Sequence, residues 1–174
     1  MMQLINLGII QVRDRRENKM SQKLPDWIGK KRTYNRNFGD IDKEIIKWEV
    51  LSVRNRQRIK VRFISSNSEN RQGIRIAIDV GKGNLTINGE LGTEFVLWED
   101  TCPKECEVEC LSDEGYLSVY NIFERNEQGI MRRNSQMAYS GMILEQKGNI
   151  YRYYCNDTGK NTDFDKLVFE IELL

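Results

Sequence analysis

Arg58-Ile59-Lys60-Val61-Arg62-Phe63 and Ile74-Arg75-Ile76-Ala77-Ile78-Asp79-Val80 decide the fold class. In both stretches an apolar side chain falls on every second residue. Period two marks a strand with one buried face, whereas an amphipathic helix repeats every 3.6 residues. The pattern therefore places Ile59, Val61 and Phe63 on one face of a strand, and Ile74, Ile76, Ile78 and Val80 on one face of another.

Outward from these two runs the same signals recur. Further strands are predicted at residues 47–53, 85–87, 94–98, 105–111, 116–122, 137–144, 150–155 and 167–173. Between them stand turn formers: Ser65-Ser66-Asn67-Ser68, Gly81-Lys82-Gly83-Asn84, Asn88-Gly89, Asp113-Glu114-Gly115 and Lys147-Gly148-Asn149. Gly81 to Asn84 reads as a hairpin turn, being too short for a phosphate loop and lacking a following helix. The two prolines, Pro25 and Pro103, lie outside the strongest alternating runs. Trp48 and Trp98 fall in apolar runs and are expected in the core. About ten short strands with frequent turns describe an all-β protein, an antiparallel β-sandwich.

The chain of 174 residues suits one domain with an appendage, and 39% hydrophobic with 30% charged residues is the composition of a folded globular protein. Three segments are expected: residues 1–19 as an over-called start or disordered tail ahead of Met20, residues 20–43 as a basic N-terminal arm, and residues 44–174 as the sandwich. The net charge of +1 hides an asymmetry, because residues 1–43 hold ten Lys and Arg against five Asp and Glu. In the arm, Trp27, Tyr34 and Phe38 are interleaved with Lys30, Lys31, Arg32 and Arg36, a mixture able to contact phosphates and stack on bases. The competing reading, favoured for so short a run, is a solvated arm whose aromatics dock on the sandwich.

The sequence contains no histidine. That excludes an imidazole general base, Ser-His and Cys-His nucleophile pairs, and His-ligated zinc. No apolar run approaches the length of a membrane span, and Leu4 to Ile10 lacks a basic leader and a cleavage site. A cytoplasmic, non-enzymatic protein is expected.

The richest candidate site is Asn156-Asp157-Thr158-Gly159-Lys160-Asn161-Thr162-Asp163-Phe164-Asp165-Lys166, between two predicted strands. Calcium takes six to eight oxygens, and a loop carrying several carboxylates and amides after a rigid strand can supply them. If the backbone is extended, Asp163 and Asp165 share a face and Phe164 points into the core. The spacing is not that of an EF-hand. The competing reading is that Asp157 and Asp163 cap turns through their own backbone.

Asp163-Phe164-Asp165 entering an apolar last strand resembles the calcium loop of the bacterial calcium-dependent fucose/mannose-binding lectins, which are small β-sandwiches. Leu117-Ser118-Val119-Tyr120-Asn121 is similar to an earlier strand of that family that ends in a metal-binding asparagine. The resemblance implies calcium held by Asn121, Asp157, Asn161, Asp163 and Asp165, with sugar hydroxyls completing the shell. It covers about twenty residues, and Lys166 stands where the family has a further aspartate. The loop is also similar to runs in uncharacterised bacterial β-sandwich proteins, which carry no function over.

Cys102, Cys106 and Cys110 lack the close spacing of a structural zinc site. On a strand, Cys106 and Cys110 share a face but stand roughly 13 Å apart, too far to share an ion. Cys110 and Cys155 flank strands and are a candidate thiol pair, either facing each other across the core or packing as small hydrophobes. Glu105, Glu107 and Glu109 read as the solvated face of an edge strand, and Arg132-Arg133-Asn134-Ser135 as a polar loop. Together these observations point to a binding module, calcium-stabilised and carbohydrate-recognising; the alternative is a protein-interaction module whose acidic loop is structural.

Overall fold

A computed structural model describes residues 9–11, 25–39, 41–159 and 162–174. They form fourteen strands: β1 (Ile9–Gln11), β2 (Thr33–Tyr34), β3 (Ile46–Ser52), β4 (Gln57–Ser66), β5 (Arg71–Ile78), β6 (Asn84–Ile87), β7 (Glu90–Gly92), β8 (Glu94–Trp98), β9 (Glu105–Leu111), β10 (Tyr116–Glu127), β11 (Ile130–Ser135), β12 (Gly141–Lys147), β13 (Ile150–Asn156) and β14 (Leu167–Leu173). No α-helix occurs among the described residues, so none is long and apolar enough to cross a membrane. The all-β class expected from period two is the class observed.

Every strand pairing is antiparallel, along the path β1-β8-β5-β10-β3-β12-β13-β14-β4-β9-β6-β7, with β11 added to β10 and β2 to β3. β3 belongs to two layers. Its start pairs with β2 and β12, and residues 49–52 pair with β10. At the far end of the path, β6 comes back against β5 and β8, so the sheet nearly closes into a barrel-like sandwich. Inside, Ile59, Val61 and Phe63 from β4 join Ile74, Ile76 and Ile78 from β5 in one core with Phe95, Trp98, Tyr153 and Phe169.

Gly73 is required by this packing. A Cβ there would lie 2.6 Å from the Leu97 carbonyl oxygen and 2.7 Å from the Trp98 ring, and the paired backbone of β8 cannot retreat. Gly73→Ala is expected to lower stability by about 1–3 kcal/mol, read from the midpoint of urea unfolding at unchanged slope.

Several local expectations are corrected. The alternation of β5 stops at Ile78: Asp79 and Val80 take φ of 47° and 56°, the chain leaves the strand, and Val80 is exposed. Gly81 to Asn84 is consequently no hairpin but a crossover between layers, since β5 pairs with β8 and β10 whereas β6 pairs with β7 and β9. Nor is β9 an edge strand. It lies between β4 and β6, and Glu105 and Glu107 face Arg62, Lys60 and Arg58 in ion pairs. The stretch read as a polar loop around Arg132 is β11, whose residues are nearly all exposed and so carry no alternation. Of the segment read as a tail, Ile9–Gln11 pairs with β8, and the rest lies outside the described residues.

Two buried carboxylates fix the ends of the layers. Asp79 accepts hydrogen bonds from the Ser112 hydroxyl (2.8 and 2.9 Å to its two oxygens) and from the backbone amides of Asp113, Glu114 and Tyr116 at 2.9, 3.1 and 3.0 Å. It thus ties the β5–β6 crossover to the β9–β10 crossover. Glu49, fully enclosed inside β3, accepts both arms of the Arg32 guanidinium at 2.8 and 2.9 Å, the Tyr153 hydroxyl at 2.9 Å and the Val50 amide at 2.8 Å.

Candidate functional site

At the opposite end from Asp79, the β4–β5 crossover, residues 66–70, meets the turn that leaves β13. Inward parity decides which side chains reach this junction. Gln72 shares a face of β5 with Ile74, and Asn121 shares a face of β10 with Val119 and Phe123, because Phe123 pairs with Gln72 and Asn121 with Ile74. Both amides therefore point between the layers rather than outward, and both residues are only 2% exposed. Asn121 Nδ2 donates to the Asn156 carbonyl at 3.0 Å, and Gln72 Nε2 donates to Asp157 Oδ2 at 2.9 Å.

Asp157, itself 2% exposed, organises the junction. Its Oδ2 also accepts from the Ser68 hydroxyl at 2.7 Å and Asn70 Nδ2 at 3.0 Å, and its Oδ1 accepts from the Thr158 amide at 2.6 Å. The Ser68 hydroxyl in turn accepts from the Asn70 amide at 3.1 Å, which closes the crossover on itself. One carboxylate so fixes the directions of a hydroxyl and two amides contributed by another layer. Two buried acceptors beside it, Gln72 Oε1 and Asn156 Oδ1, take no hydrogen bond from the protein. Above the cluster opens a polar cleft of about 640 Å³, whose walls include Ser66, Asn67, Asn70, Thr158 and Lys166.

The rest of the acidic loop is arranged differently. Phe164 has φ of 50°, so the backbone is not extended and Asp163 and Asp165 do not share a strand face. Phe164 is buried against Phe38 and Ile45 in a small second core, as its apolar character demands. Asp165 Oδ2 accepts from Asn67 Nδ2 at 2.6 Å, and Asp165 Oδ1 lies 3.4 Å from the Lys166 ammonium. The amide of Asn67 and the Lys166 ammonium hold the Asp165 carboxyl below its ordinary range, against the smaller effect of burial. Asp163, largely exposed, is 3.7 Å from the same ammonium and borders a second cleft beside Ile41 and Tyr154. Asn161 lies outside the described residues.

The structure therefore brings Asn121 and Asp157 into one cluster, joins Asp165 to the same cleft through Asn67, and leaves Asp163 apart. The described members of the set are engaged with other partners. Three N–H and O–H groups aim their hydrogens at Asp157 Oδ2, where a cation would need a free lone pair, and the Lys166 ammonium stands beside the other two carboxylates. Among the described residues no three His, Cys, Asp or Glu side chains are grouped so as to hold a metal ion. The arrangement is a hydrogen-bonded network closed on Asp157.

Ser68, Asn70 and Gln72 escaped the sequence reading. A signal for Gln72 was present: an amide at the inward position of an Ile-rich alternating strand needs a buried partner. For Ser68 and Asn70 no such signal exists, because turn-forming residues look alike whether or not they face a site.

The cysteines are four free thiols, all buried. Cys110 and Cys155 both stand in the main core, fully enclosed, and the sulfur contact in the structure joins Cys102 and Cys106 at 3.9 Å instead. In the arm, Arg32 is bound to Glu49, Lys30 lies near Glu114 and over the Tyr116 ring, Arg36 lies over Tyr34, and Lys31 is exposed. Trp27 is exposed and Phe38 is docked in the second core.

No family model matches the chain, and no curated protein matches it by sequence.

Proposed function

We propose that this chain is a non-enzymatic binding module that recognises an uncharged, hydroxyl-rich ligand of the carbohydrate class in the cleft beside Asp157. The observation that carries this reading is the Ser68 hydroxyl and the Asn70 amide in the cleft wall, whose directions are fixed, with that of the Gln72 amide beneath them, by one buried carboxylate. Sugar hydroxyls both donate and accept, so they match walls of Ser, Thr and Asn better than a phosphate or a cation does. Fixing the binding groups in advance lowers the entropy lost on association. The four free thiols fit a reducing compartment, the cytoplasm.

Calcium has no part in this reading. Millimolar calcium or a chelator is expected to leave the melting temperature unchanged, whereas a bound cation would raise it. A neutral oligosaccharide that binds is expected to do so equally well with chelator present, and Asn70→Ala is expected to weaken it about tenfold by removing one fixed amide. Titration calorimetry of both proteins reads this directly. Calcium-dependent binding, or unchanged affinity in Asn70→Ala, would overturn it.

A protein-interaction module is the second reading, favoured by β11. Its outer edge pairs with no strand among the described residues, and Ile130 and Met131 are each 57% exposed beside Arg132 and Arg133. An acidic extended segment added to that edge is the partner chemistry that fits. Calorimetry with such a peptide separates the two readings, because Ile130→Asp with Met131→Asp would abolish peptide binding and leave oligosaccharide binding intact.

A further inference from the structure

We propose that Cys102 and Cys106 are a redox-active pair that forms a reversible disulfide, with Cys102 as the attacking thiol and Cys106 as the resolving one. The two sulfurs are in contact at 3.9 Å. A disulfide needs about 2.05 Å, so the sulfurs must approach by roughly 2 Å, a change within reach of two side-chain rotations when one residue is on a connection. Cys102 is on such a connection. It follows the turn closing β8, where its amide donates to the Trp98 carbonyl at 2.8 Å, and it belongs to no strand. Cys106, by contrast, is fixed in β9 opposite Val61.

Access separates this pair from the other two cysteines. Cys102 and Cys106 are 7% and 6% exposed beside the exposed turn at Asp100 and Thr101, whereas Cys110 and Cys155 are both at 0%. Burial pushes the Cys110 thiol up to about 12 and the Cys155 thiol well above its ordinary value, which keeps both protonated and inert. The contact with Cys106 instead holds the Cys102 thiol below its ordinary value, while the same contact and burial hold Cys106 above its own.

The oxidant class is a low-molecular-weight disulfide. The Cys102 thiolate attacks one sulfur of that molecule, its S–S bond breaks, and one small thiolate leaves and takes up the proton lost from Cys102. Cys106 then loses its proton and attacks the Cys102 sulfur, expelling the second small thiolate, which is protonated in turn. Two electrons pass from the protein pair to the small disulfide, two thiols are released, and the Cys102–Cys106 bond remains. The connection that closes carries the Glu99 amide bound to the Gln72 carbonyl at 2.9 Å, so the oxidised form is tightened next to β5.

The test uses the intact, folded chain equilibrated with mixtures of oxidised and reduced glutathione, quenched with acid, alkylated and digested for tandem mass spectrometry. The expected result is one intramolecular disulfide between Cys102 and Cys106, with Cys110 and Cys155 fully alkylated after denaturation. Cys106→Ser is expected to accumulate a glutathione adduct on Cys102, and Cys102→Ser to accumulate at least tenfold less on Cys106. Wild-type protein with all four thiols free under oxidised glutathione, a bond between any other pair, or equal trapping in the two variants would overturn the proposal. Because the wild-type experiment stands alone, misfolding of a variant leaves the central outcome decidable.

Discussion

Asp79→Ala is expected to lower the unfolding free energy by about 3–5 kcal/mol, a large part of the 5–15 kcal/mol typical of a domain. The substitution leaves the Ser112 hydroxyl and the amides of Asp113, Glu114 and Tyr116 without their acceptor, at a residue 1% exposed. A buried donor left unpaired costs about 1–3 kcal/mol, and the total falls short of the sum because only the Ser112 hydroxyl is buried while the three amides are partly open to water. Gly83 packs closely on the same carboxylate, since a Cβ there would meet the Leu111 carbonyl at 2.7 Å and Asp79 itself at 2.9 Å. Urea unfolding followed by the fluorescence of buried Trp98 measures the loss, and a change below about 1 kcal/mol would show that Asp79 does not hold the two crossovers together.

The same carboxylate sets an acid limit. Burial alone would raise its pKa, but the amides of Tyr116 and Glu114, the Ser112 hydroxyl and the Asp113 amide together hold it below the ordinary value of 3.8. A group more acidic in the folded than in the unfolded chain contributes its full stabilisation above the unfolded value. It loses that contribution as pH falls from there through the folded value. The wild type is therefore expected to lose stability below about pH 4, with Asp79 contributing a slope of up to about 1.4 kcal/mol per pH unit. In Asp79→Asn that part of the slope disappears.

The second large effect is expected from Glu49→Ala, about 3 kcal/mol. Its removal strands the buried Tyr153 hydroxyl and releases the Arg32 guanidinium, whose side chain is 31% exposed and can partly rehydrate. Replacing both partners tells the two contributions apart. Arg32→Met with Glu49→Leu leaves no unpaired charge and is expected to recover part of the loss, although Tyr153 still lacks its acceptor. A double variant as unstable as Glu49→Ala alone would mean that the ion pair itself, rather than the unpaired charge, carries the energy.

Class and many strands were legible because burial on one face writes itself as alternation. β8, β9 and β14 fall at the expected residues: β9 alternates with one face in the core, whereas β8 and β14 are short apolar runs buried along most of their length. β11 was invisible for the converse reason: exposed on nearly all its residues, it has no buried face to impose a period. The crossover at Gly81 to Asn84 was mistaken for a hairpin because glycine-rich turns look the same whether the next strand pairs with the last or moves to the other layer. Glu49 had a readable signal, an acid at the parity of Leu51 inside an apolar run. What surrounds Asp157 was not readable, because Ser68, Asn70 and Gln72 reach it from 85 to 89 residues away in sequence.

Amide NMR under titration tests most directly whether a ligand binds at the fixed amides and hydroxyls around Asp157. With isotope-labelled protein in chelator-containing buffer and a panel of neutral oligosaccharides, saturable shifts are predicted at residues 66–70 and 157–159 for at least one sugar. Shifts that fall instead on residues 127–133, that require calcium, or that stay absent across the panel would contradict that prediction.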